Sequence, residues 1–517
     1  MRASPHLIRY ALVEVALTDR YVRAYRLLRE SVMKIRAAVW ICVLVAAGNS
    51  SWSHPALAAE PPTKDEAVRA LRQATEFFRN EVSGSGGYLW RYSDDLARQE
   101  GENLASKSTV WVQPPGTPTV GGAYLFAYEA IGDQSYLDAA REAAHALVRG
   151  QLKSGGWDYL IEFDLKARQK YAYRFEGGSG EARNTTTLDD NTTQAALRYL
   201  MHVDRALGFE DERIHDSVEF ALSSLLNAQY PNGAWPQRFN EPPDASQYQV
   251  VKANYPDSWP REYPKEDYRS YYTFNDNSIA DTIATMFEAE RIYGESKYGQ
   301  AARKAGDFIL LAQMPPPQPA WAQQYNAKMQ PAWARRFEPA AVTGGESQGV
   351  LRTLTSIYRE TGDKRYLAPI PDAIKYLRSS ELPNGQLARF YELKTNRPLY
   401  FTKEYVLTYE DGDLPTHYGF KVGSKLDSIE AEYERVLKSD PAKLKTRESK
   451  PTYSMSRSIT EQARLAVDSL DERGAWIEPG TLRTYGNDDP TKRVIDTRTF
   501  VKNAEALIRF IAASNNR

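Results

Sequence analysis

Residues 190–211, DNTTQAALRYLMHVDRALGFED, and residues 213–229, RIHDSVEFALSSLLNAQ, decide the fold of this chain. In both stretches apolar residues recur at intervals of three and four, which predicts a pair of amphipathic helices. A turn containing Gly208 separates the two helices, and glycine suits a helix C-terminus. Because each helix hides only one face, the pair must bury its apolar stripes against further helices.

The same helix-pair pattern recurs along the chain. First helices are predicted at residues 121–133, 276–295 and 344–363, and second helices at 136–151, 298–313 and 365–379. Residues 64–81 and 500–513 add helical segments, so we expect at least ten helices and no run of strands. Such pairs stack as an open solenoid or close into a toroid. A toroid would gather the loops after the second helices at one end, where they would build a cleft.

The N-terminal residues 1–59 have the pattern of a targeting segment. Lys34 and Arg36 precede an apolar run at 37–47, and the run is followed by ALAA at 56–59, which is similar to a cleavage site. The run is too short to span a bilayer as a mature helix, although a single membrane anchor is the alternative interpretation. We expect a leader over 1–59, with Met33 as a candidate start, and a periplasmic or secreted protein without stable membrane insertion.

The remaining residues 60–517 are predicted to form a single domain. Within it, residues 240–269 are rich in Pro, Tyr, Asp and Glu without a period. We interpret them as a long loop insertion, which either covers a cleft or is merely an excursion of the chain.

Composition excludes several classes of function. The one cysteine, Cys42, lies in the predicted leader, so disulfide scaffolds, thiolate zinc sites and cysteine nucleophiles are excluded from the rest. Residues 60–517 carry a formal charge of −6, and a nucleic-acid partner would require a basic surplus. No nucleotide-binding loop, nucleophile elbow or H-E-x-x-H pattern occurs, and the four histidines after the leader are not spaced as metal ligands.

Polar residues are concentrated at two predicted helix starts. Residues 186–193 read TTLDDNTT and residues 273–278 read TFNDNS. Asp and Asn serve well as plain N-caps, but one such residue per helix would suffice for capping. Their oxygens are also ligands that calcium prefers, which makes Asp189, Asp190, Asp276 and Asn277 candidate metal ligands.

Arginines stand beside aromatic and acidic residues in two later segments. Residues 332–339 are AWARRFEP and residues 387–398 are LARFYELKTNRP. Arg335, Arg336, Arg389 and Arg397 could bind sugar carboxylates through paired hydrogen bonds, or each could simply hold its loop through an Arg–Glu pair. The 33 Tyr and 10 Trp leave aromatic rings for stacking on sugars, and Trp235, in the loop QYPNGAW, is a candidate for that role.

In unbroken order, the motifs GGW, TLDDNTT, QYPNGAWPQRF, YYTFNDNS, PAWARRFEP, GGESQGV and ARFYELKTNRP resemble those of the pectate lyases of polysaccharide lyase family 10, the pectic acid lyase family. The resemblance covers roughly residues 150–405. It implies an α/α toroid and calcium-dependent β-elimination of polygalacturonate. Asp189 and Asp276 would hold calcium, Arg335 would be the base, and Arg389 would bind the substrate.

The sequence departs from the family pattern at several positions. Lys403 stands where the family has an arginine, Asn277 where it has a second Asp, and the loop after Trp157 lacks a Pro-Lys pair. We keep Lys403 as a candidate substrate-binding residue. The expected protein is a monomeric lyase with Ca²⁺ as cofactor and an acidic polysaccharide as partner. The alternatives are another toroid enzyme acting on uronic acids, such as an unsaturated uronyl hydrolase, and a non-catalytic glycan-binding protein.

Overall fold

The computed structural model describes residues 60–446 and 452–515. The predicted leader, including Cys42 and the candidate start Met33, lies outside these residues. Residues Pro62–Arg517 form one compact unit. Among the described residues, no helix has the length and apolar character needed to cross a membrane.

Thirteen α-helices lie in the described residues. They are α1 (Lys64–Phe77), α2 (Thr117–Ile131), α3 (Gln134–Arg149), α4 (Thr192–Ala206), α5 (Glu212–Ala228), α6 (Ser278–Tyr293), α7 (Ser296–Leu311), α8 (Glu346–Thr361), α9 (Ile370–Ser379), α10 (Leu426–Leu437), α11 (Pro441–Leu444), α12 (Arg457–Asp468) and α13 (Thr497–Asn515).

The helices form two layers. In one layer, which we call the inner layer, α13, α2, α4, α6 and α8 contact one another in that order. In the other, the outer layer, α3, α5 and α7 follow in sequence. The predicted pairs α2–α3, α4–α5 and α6–α7 pack against each other across the layers. An extended apolar core fills the space between them. This arrangement confirms the predicted all-α fold, an α/α toroid built from repeated helix pairs.

The loops contain short strands, which contradicts the expectation of none. The strands are β1 (Arg91–Ser93), β2 (Gln99–Glu100), β3 (Thr109–Trp111), β4 (Leu160–Glu162), β5 (Thr186–Thr187), β6 (Arg238–Phe239), β7 (Tyr272–Thr273), β8 (Gln324–Tyr325), β9 (Ala341–Thr343), β10 (Gln386–Ala388), β11 (Phe390–Glu392), β12 (Pro398–Phe401), β13 (Leu407–Thr408), β14 (Lys421–Gly423), β15 (Glu478–Pro479) and β16 (Arg493–Asp496). Strands of two to four residues are too short to show a period-two pattern in sequence.

These strands form small antiparallel sheets. Two sheets have four strands, in the orders β15-β16-β1-β2 and β13-β12-β11-β9, and four have two strands: β3-β4, β5-β6, β7-β8 and β10-β14. Strands β5, β7 and β9 immediately precede the inner helices α4, α6 and α8 and pair with β6, β8 and β11. Each pairing ties the start of one inner helix to the loop that follows the next outer helix. All three helix starts are thereby held at one end of the toroid.

Four tryptophans serve as repeated braces of the helix ends. The indole N–H groups of Trp157, Trp235, Trp321 and Trp476 donate to backbone carbonyls of the helices before them, at 2.8 to 2.9 Å. All four rings are buried. The Gly- and Trp-containing loops are therefore fixed to the core by their tryptophans.

Residues 240–269 contain no helix or strand except a short 3-10 turn at Ala245–Gln247. This segment nonetheless packs on the body of the protein. Tyr248 packs against Tyr230 with its ring tilted by 48° and the ring centroids 4.4 Å apart. Tyr255 donates to the carbonyl of Pro315 at 3.1 Å.

Candidate active site

Two neighbouring loops before α4 and α6 share an unusual backbone. Asp190 and Asn191 have φ angles of 51° and 56°, and Asp276 and Asn277 have 47° and 57°. Two consecutive left-handed residues are disfavoured for L-amino acids, although Asp and Asn tolerate this region best. The two loops contact each other, so the repeated conformation brings their acidic residues together.

Three carboxylates form a cluster at this contact. Asp189, Asp190 and Asp276 each present an oxygen, and the three oxygens lie within 4.8 Å of one another. Asp189 is buried, with 6% of its surface exposed, whereas the Asp276 side chain is 40% exposed. The cluster therefore extends from the protein interior to an open cleft.

The innermost carboxylate is only partly satisfied. Tyr159 donates its hydroxyl proton to Oδ2 of Asp189 at 3.1 Å, and Nη2 of Arg238 lies 3.4 Å from the same oxygen. Oδ1 of Asp189 and Oδ1 of Asn191 are buried without a hydrogen-bond partner. Buried oxygens without partners are costly, and hard cations such as calcium bind such oxygens. The residues present thus fit a calcium site.

Crowding of negative charge perturbs the cluster. Burial raises the pKa of Asp276 to about 7, and the nearby carboxylates of Asp189 and Asp190 act in the same direction. Burial likewise raises the pKa of Asp190 to about 6, with Asp189 and Glu102 contributing. A bound cation would relieve this repulsion.

Arg335 lies beside the acidic cluster. Its Nη2 is 3.8 Å from Oδ2 of Asp276 and 2.7 Å from Oε1 of the buried Glu338. Burial lowers the pKa of Arg335, but the hydrogen bond and charge of Glu338 outweigh this effect, helped by Tyr418 and Asp276, so the pKa is raised. As it stands in this structure, the guanidinium is held in its charged form.

Arg389 lies between strands β10 and β11, and its side chain extends into the same region. Its Nη1 pairs with Oε1 of Glu346 at 2.6 Å, and its Nε donates to the carbonyl of Gly419 at 2.6 Å. Together with Asp276 and Asn277 it lines a pocket of about 490 Å³. The structure therefore brings Asp189, Asp190, Asp276, Asn277, Arg335 and Arg389 to one cleft.

Arg336 diverges from its neighbour in sequence. Its Nη2 donates to the carbonyl of Glu404 at 2.9 Å, and its guanidinium lies 4.7 Å from the ring centroid of Tyr405. Only Arg335 faces the acidic cluster, which separates two arginines that sequence alone left equivalent.

Trp235 does not line the cleft, which corrects its assignment to substrate binding. Only 1% of its surface is exposed, because its ring belongs to the core and its indole is bound to the carbonyl of Leu225. Arg397 stacks on Tyr409, with Cζ 3.4 Å from the ring centroid, and Lys403 forms an exposed ion pair with Asp413 at 3.0 Å. Neither lines the pocket beside Asp276.

Several residues that sequence reasoning missed hold the predicted ones in place. Glu338 and Glu346 are the counter-ions of Arg335 and Arg389, and Arg238 and Tyr159 contact Asp189. Glu338, Glu346 and Arg238 lie within the motifs quoted above, so their positions in the sequence marked them as possible site residues. Tyr159 lies in the loop after Trp157, where the sequence departs from the family pattern.

One protein-family model matches two overlapping segments of the chain. The model of the pectic acid lyase family matches residues 162–254 and 244–356. Over these residues the chain is similar to the pectic acid lyases. The predicted resemblance is thereby confirmed, and the match supports a polysaccharide lyase. It includes the acidic cluster and Arg335, whereas Arg389 lies beyond it.

Solved structures with a similar chain path include two family 10 polysaccharide lyases. A family 10 polysaccharide lyase from Cellvibrio cellulosa is 21% identical, with 62% of this chain and 97% of that chain covered and a TM-score of 0.42. A mutant of a family 10 lyase from the same organism, in complex with trigalacturonic acid, is 20% identical over 62% and 98%, with a TM-score of 0.41. A glycoside hydrolase family 76 mannosidase from Bacteroides thetaiotaomicron is 12% identical over 88% and 99%, with a TM-score of 0.40. No curated protein matches the sequence.

Proposed function

We propose that the chain is an exported, monomeric pectate lyase that cleaves polygalacturonate by calcium-assisted β-elimination. The observation that carries the proposal is the cluster of Asp189, Asp190 and Asp276, with Arg335 beside it at 3.8 Å. A site with three acidic groups and flanking arginines suits a polyanion whose carboxylates are bridged by a cation. The relation to the pectic acid lyases supports the same substrate class.

In this proposal Asp189, Asp190 and Asp276 hold calcium, with oxygens of Asn191 and Asn277 nearby. When bound, calcium supplies positive charge to the substrate carboxylate and makes the C5 proton more acidic. Arg389, which is already oriented by Glu346, contributes a fixed cation to the same cleft. Stabilisation of the developing enediolate then comes from groups that need no rearrangement.

Arg335 is the proposed base. It takes the proton from C5, a double bond forms between C4 and C5, and the C4–O bond breaks, with the departing oxygen protonated from solvent. The ion pair with Glu338 works against this role because it favours the charged guanidinium. That pair favours a second role for Arg335, in which it remains a cation and stabilises the enediolate while another group removes the proton.

Ultraviolet absorbance tests the proposal directly. Elimination creates a double bond conjugated to the carboxylate, so polygalacturonate with calcium should give rising absorbance at alkaline pH. A chelator should abolish the signal, and Arg335→Ala should reduce kcat by about a hundredfold or more. The matched control is Arg365→Ala, which removes an exposed arginine paired with Asp363 and should leave the rate unchanged.

The outcomes separate the alternatives. Absence of any absorbance gain with folded protein and calcium would contradict the lyase proposal. Activity on unsaturated uronyl saccharides that persists in the chelator would favour the hydrolase alternative. Binding of polygalacturonate without any turnover would favour a glycan-binding protein.

A further inference from the structure

A pocket beside Asp276 extends the cleft beyond the acidic cluster. Its volume is about 490 Å³. The first turns of α8 form one wall, the loop of Asp276 and Asn277 forms a second, and residues 422–425 contribute a third. The pocket is therefore contiguous with the acidic cluster and open to the same substrate.

The pocket contains two cations besides Arg389. Arg352 and Lys425 both line it and both are exposed. Neither forms an ion pair with any carboxylate of the described residues. Nη2 of Arg352 donates to the hydroxyl of Ser428 at 2.8 Å.

The other charged groups of the pocket are already paired. Arg389 is bound to Glu346 at 2.6 Å, and Asp276 faces Arg335. Arg352 and Lys425 are thus the cations of the pocket that a ligand meets without competition from a carboxylate of the described residues. Arginine and lysine in an open, solvent-filled pocket attract anions, and arginine binds a carboxylate through two parallel hydrogen bonds.

Two glycines at the start of α8 leave part of the helix side of the pocket without side chains. Gly345 and Gly349 are four residues apart at the start of α8, and both line the pocket. A Cβ atom at Gly349 would lie 3.5 Å from Oδ1 of Asn277, so side chains there would project into the space between α8 and the loop. The absence of side chains leaves room for a ligand group next to the two cations.

We propose that Arg352 and Lys425 form a second carboxylate-binding subsite, which receives a uronic acid residue adjacent to the one held at the acidic cluster. The inference rests on the proposed function, because a chain with a carboxylate on every sugar can reach both places at once. Arg352 and Lys425 are then specificity-determining residues: they favour a run of unesterified uronic acids and disfavour methyl-esterified or neutral neighbours.

The test is the double variant Arg352→Gln/Lys425→Gln. KM for polygalacturonate should rise about tenfold, the effect of losing roughly one charge-assisted hydrogen bond, while kcat should stay within about twofold. The charge-preserving variant Arg352→Lys/Lys425→Arg should restore most of the affinity. The matched control Lys304→Gln/Lys375→Gln removes two exposed lysines from the outer helices α7 and α9 and should leave KM unchanged.

A second readout needs no turnover. Titration calorimetry with oligogalacturonates, in the presence of a chelator, should show weaker binding to the double variant than to the wild type. Partial methyl-esterification of the oligomers should weaken their binding to the wild type but not to the double variant. Unchanged KM and unchanged oligomer binding in the double variant would overturn the subsite. Oligomer binding that depends on Arg352 and Lys425 in a protein without lyase activity would retain the subsite and reject the proposed function. A wild type that neither cleaves nor binds these oligomers would reject both.

Discussion

Arg335 is the residue on which the proposed chemistry depends most. Glu338 accepts hydrogen bonds from the backbone N–H of Arg335 at 3.1 Å and from Nη2 of Arg335 at 2.7 Å. Glu338 also accepts from Tyr418 at 3.3 Å and is itself buried. One carboxylate therefore fixes both the position and the charge of the guanidinium.

Replacing Glu338 by Gln should separate the two roles of Arg335. If Arg335 is the base, loss of the negative charge lowers its pKa, and the alkaline rise of the pH–rate profile should move by at least about one unit toward lower pH. Measurement of kcat between neutral and strongly alkaline pH checks this. Glu338→Asp keeps the charge and is the matched control. A profile that falls in amplitude without moving would instead favour Arg335 as a permanently charged stabiliser.

Asp189 is expected to dominate cation binding because one of its oxygens is buried and unpaired. Asp189→Asn should weaken calcium binding by about tenfold or more, since a buried carboxylate ligand is lost. Calorimetric titration of calcium measures this. Asp281→Asn, on the helix that follows the second loop, is the control, because Asp281 lines a different cavity together with Arg198. Equal losses in both variants would contradict a site centred on Asp189.

Sequence predicted the acidic residues and the arginines, but not their partners. Two Asp-rich helix starts were readable because their chemistry is concentrated in adjacent residues. The contact of Tyr159 with Asp189 joins residues 30 positions apart, and that of Tyr418 with Glu338 joins residues 80 apart. Such contacts depend on how the loops fold together, which no local pattern specifies.

At the scale of single elements, the four tryptophan braces explain why the prediction that Trp235 binds substrate is wrong. An aromatic residue in a Gly-rich loop is compatible with stacking on a sugar and equally with anchoring the loop. The indole bond to a carbonyl near the end of the preceding helix recurs in four loops. Repetition at equivalent positions, including Trp476 far from the acidic motifs in sequence, indicates the anchoring role.

Trp235→Phe should lower the free energy of unfolding by about 1–3 kcal/mol, because the Leu225 carbonyl loses its partner and a buried ring shrinks. KM for polygalacturonate should not change. Trp476→Phe, which removes the same type of bond to Ala466, is the matched comparison. Denaturant unfolding and substrate kinetics on both variants are the measurements. A rise in KM confined to Trp235→Phe would return that residue to the cleft.

At the scale of the whole molecule, ion pairs join the helices of the inner layer. Glu288 on α6 is buried and pairs with Arg198 and His202, both on α4. Burial raises the pKa of Glu288, but the bonds and charges of His202 and Arg198 outweigh it and lower the pKa to about 2. The pair thus ties together the two helices that carry the acidic loops.

Because the pKa of Glu288 is lower in the folded than in the unfolded state, its stabilising effect is complete above the unfolded value of about 4.3. The effect is lost as the pH falls from there to about 2, and is worth up to roughly 3 kcal/mol. Unfolding free energies measured across this range should decline less steeply in Glu288→Gln. Glu461→Gln, which removes an exposed helical ion pair with Arg464, should leave the decline unchanged. Identical acid sensitivity of wild type and Glu288→Gln would contradict the assignment.

The helix pairs were predictable because amphipathic periodicity persists over whole helices, and their order along the chain dictates the two layers. The sheets were not, since their strands owe their pairing to the closure of the toroid rather than to their own residues. The arrangement of the site follows from both. The inner helices set the direction in which the loops leave the core, and the short strand pairs hold these loops at one end of the toroid.

One hydrogen bond recurs before each of the inner helices α4, α6 and α8. The hydroxyls of Thr187, Thr273 and Thr343 accept from the backbone N–H two residues later, at 3.0 to 3.2 Å. That later residue is Asp189 in the first loop, Asn275 in the second and Gly345 in the third. The hydrogen bond is the same in the three loops, but the residue that donates it differs. It is an anion at Asp189, a neutral amide at Asn275 and a residue without a side chain at Gly345.

Because this bond uses only a backbone N–H, the residue that donates it can be Asp, Asn or Gly without loss of the turn. Substitutions at these three positions should therefore change the side chains presented beside the cleft while leaving the toroid unchanged.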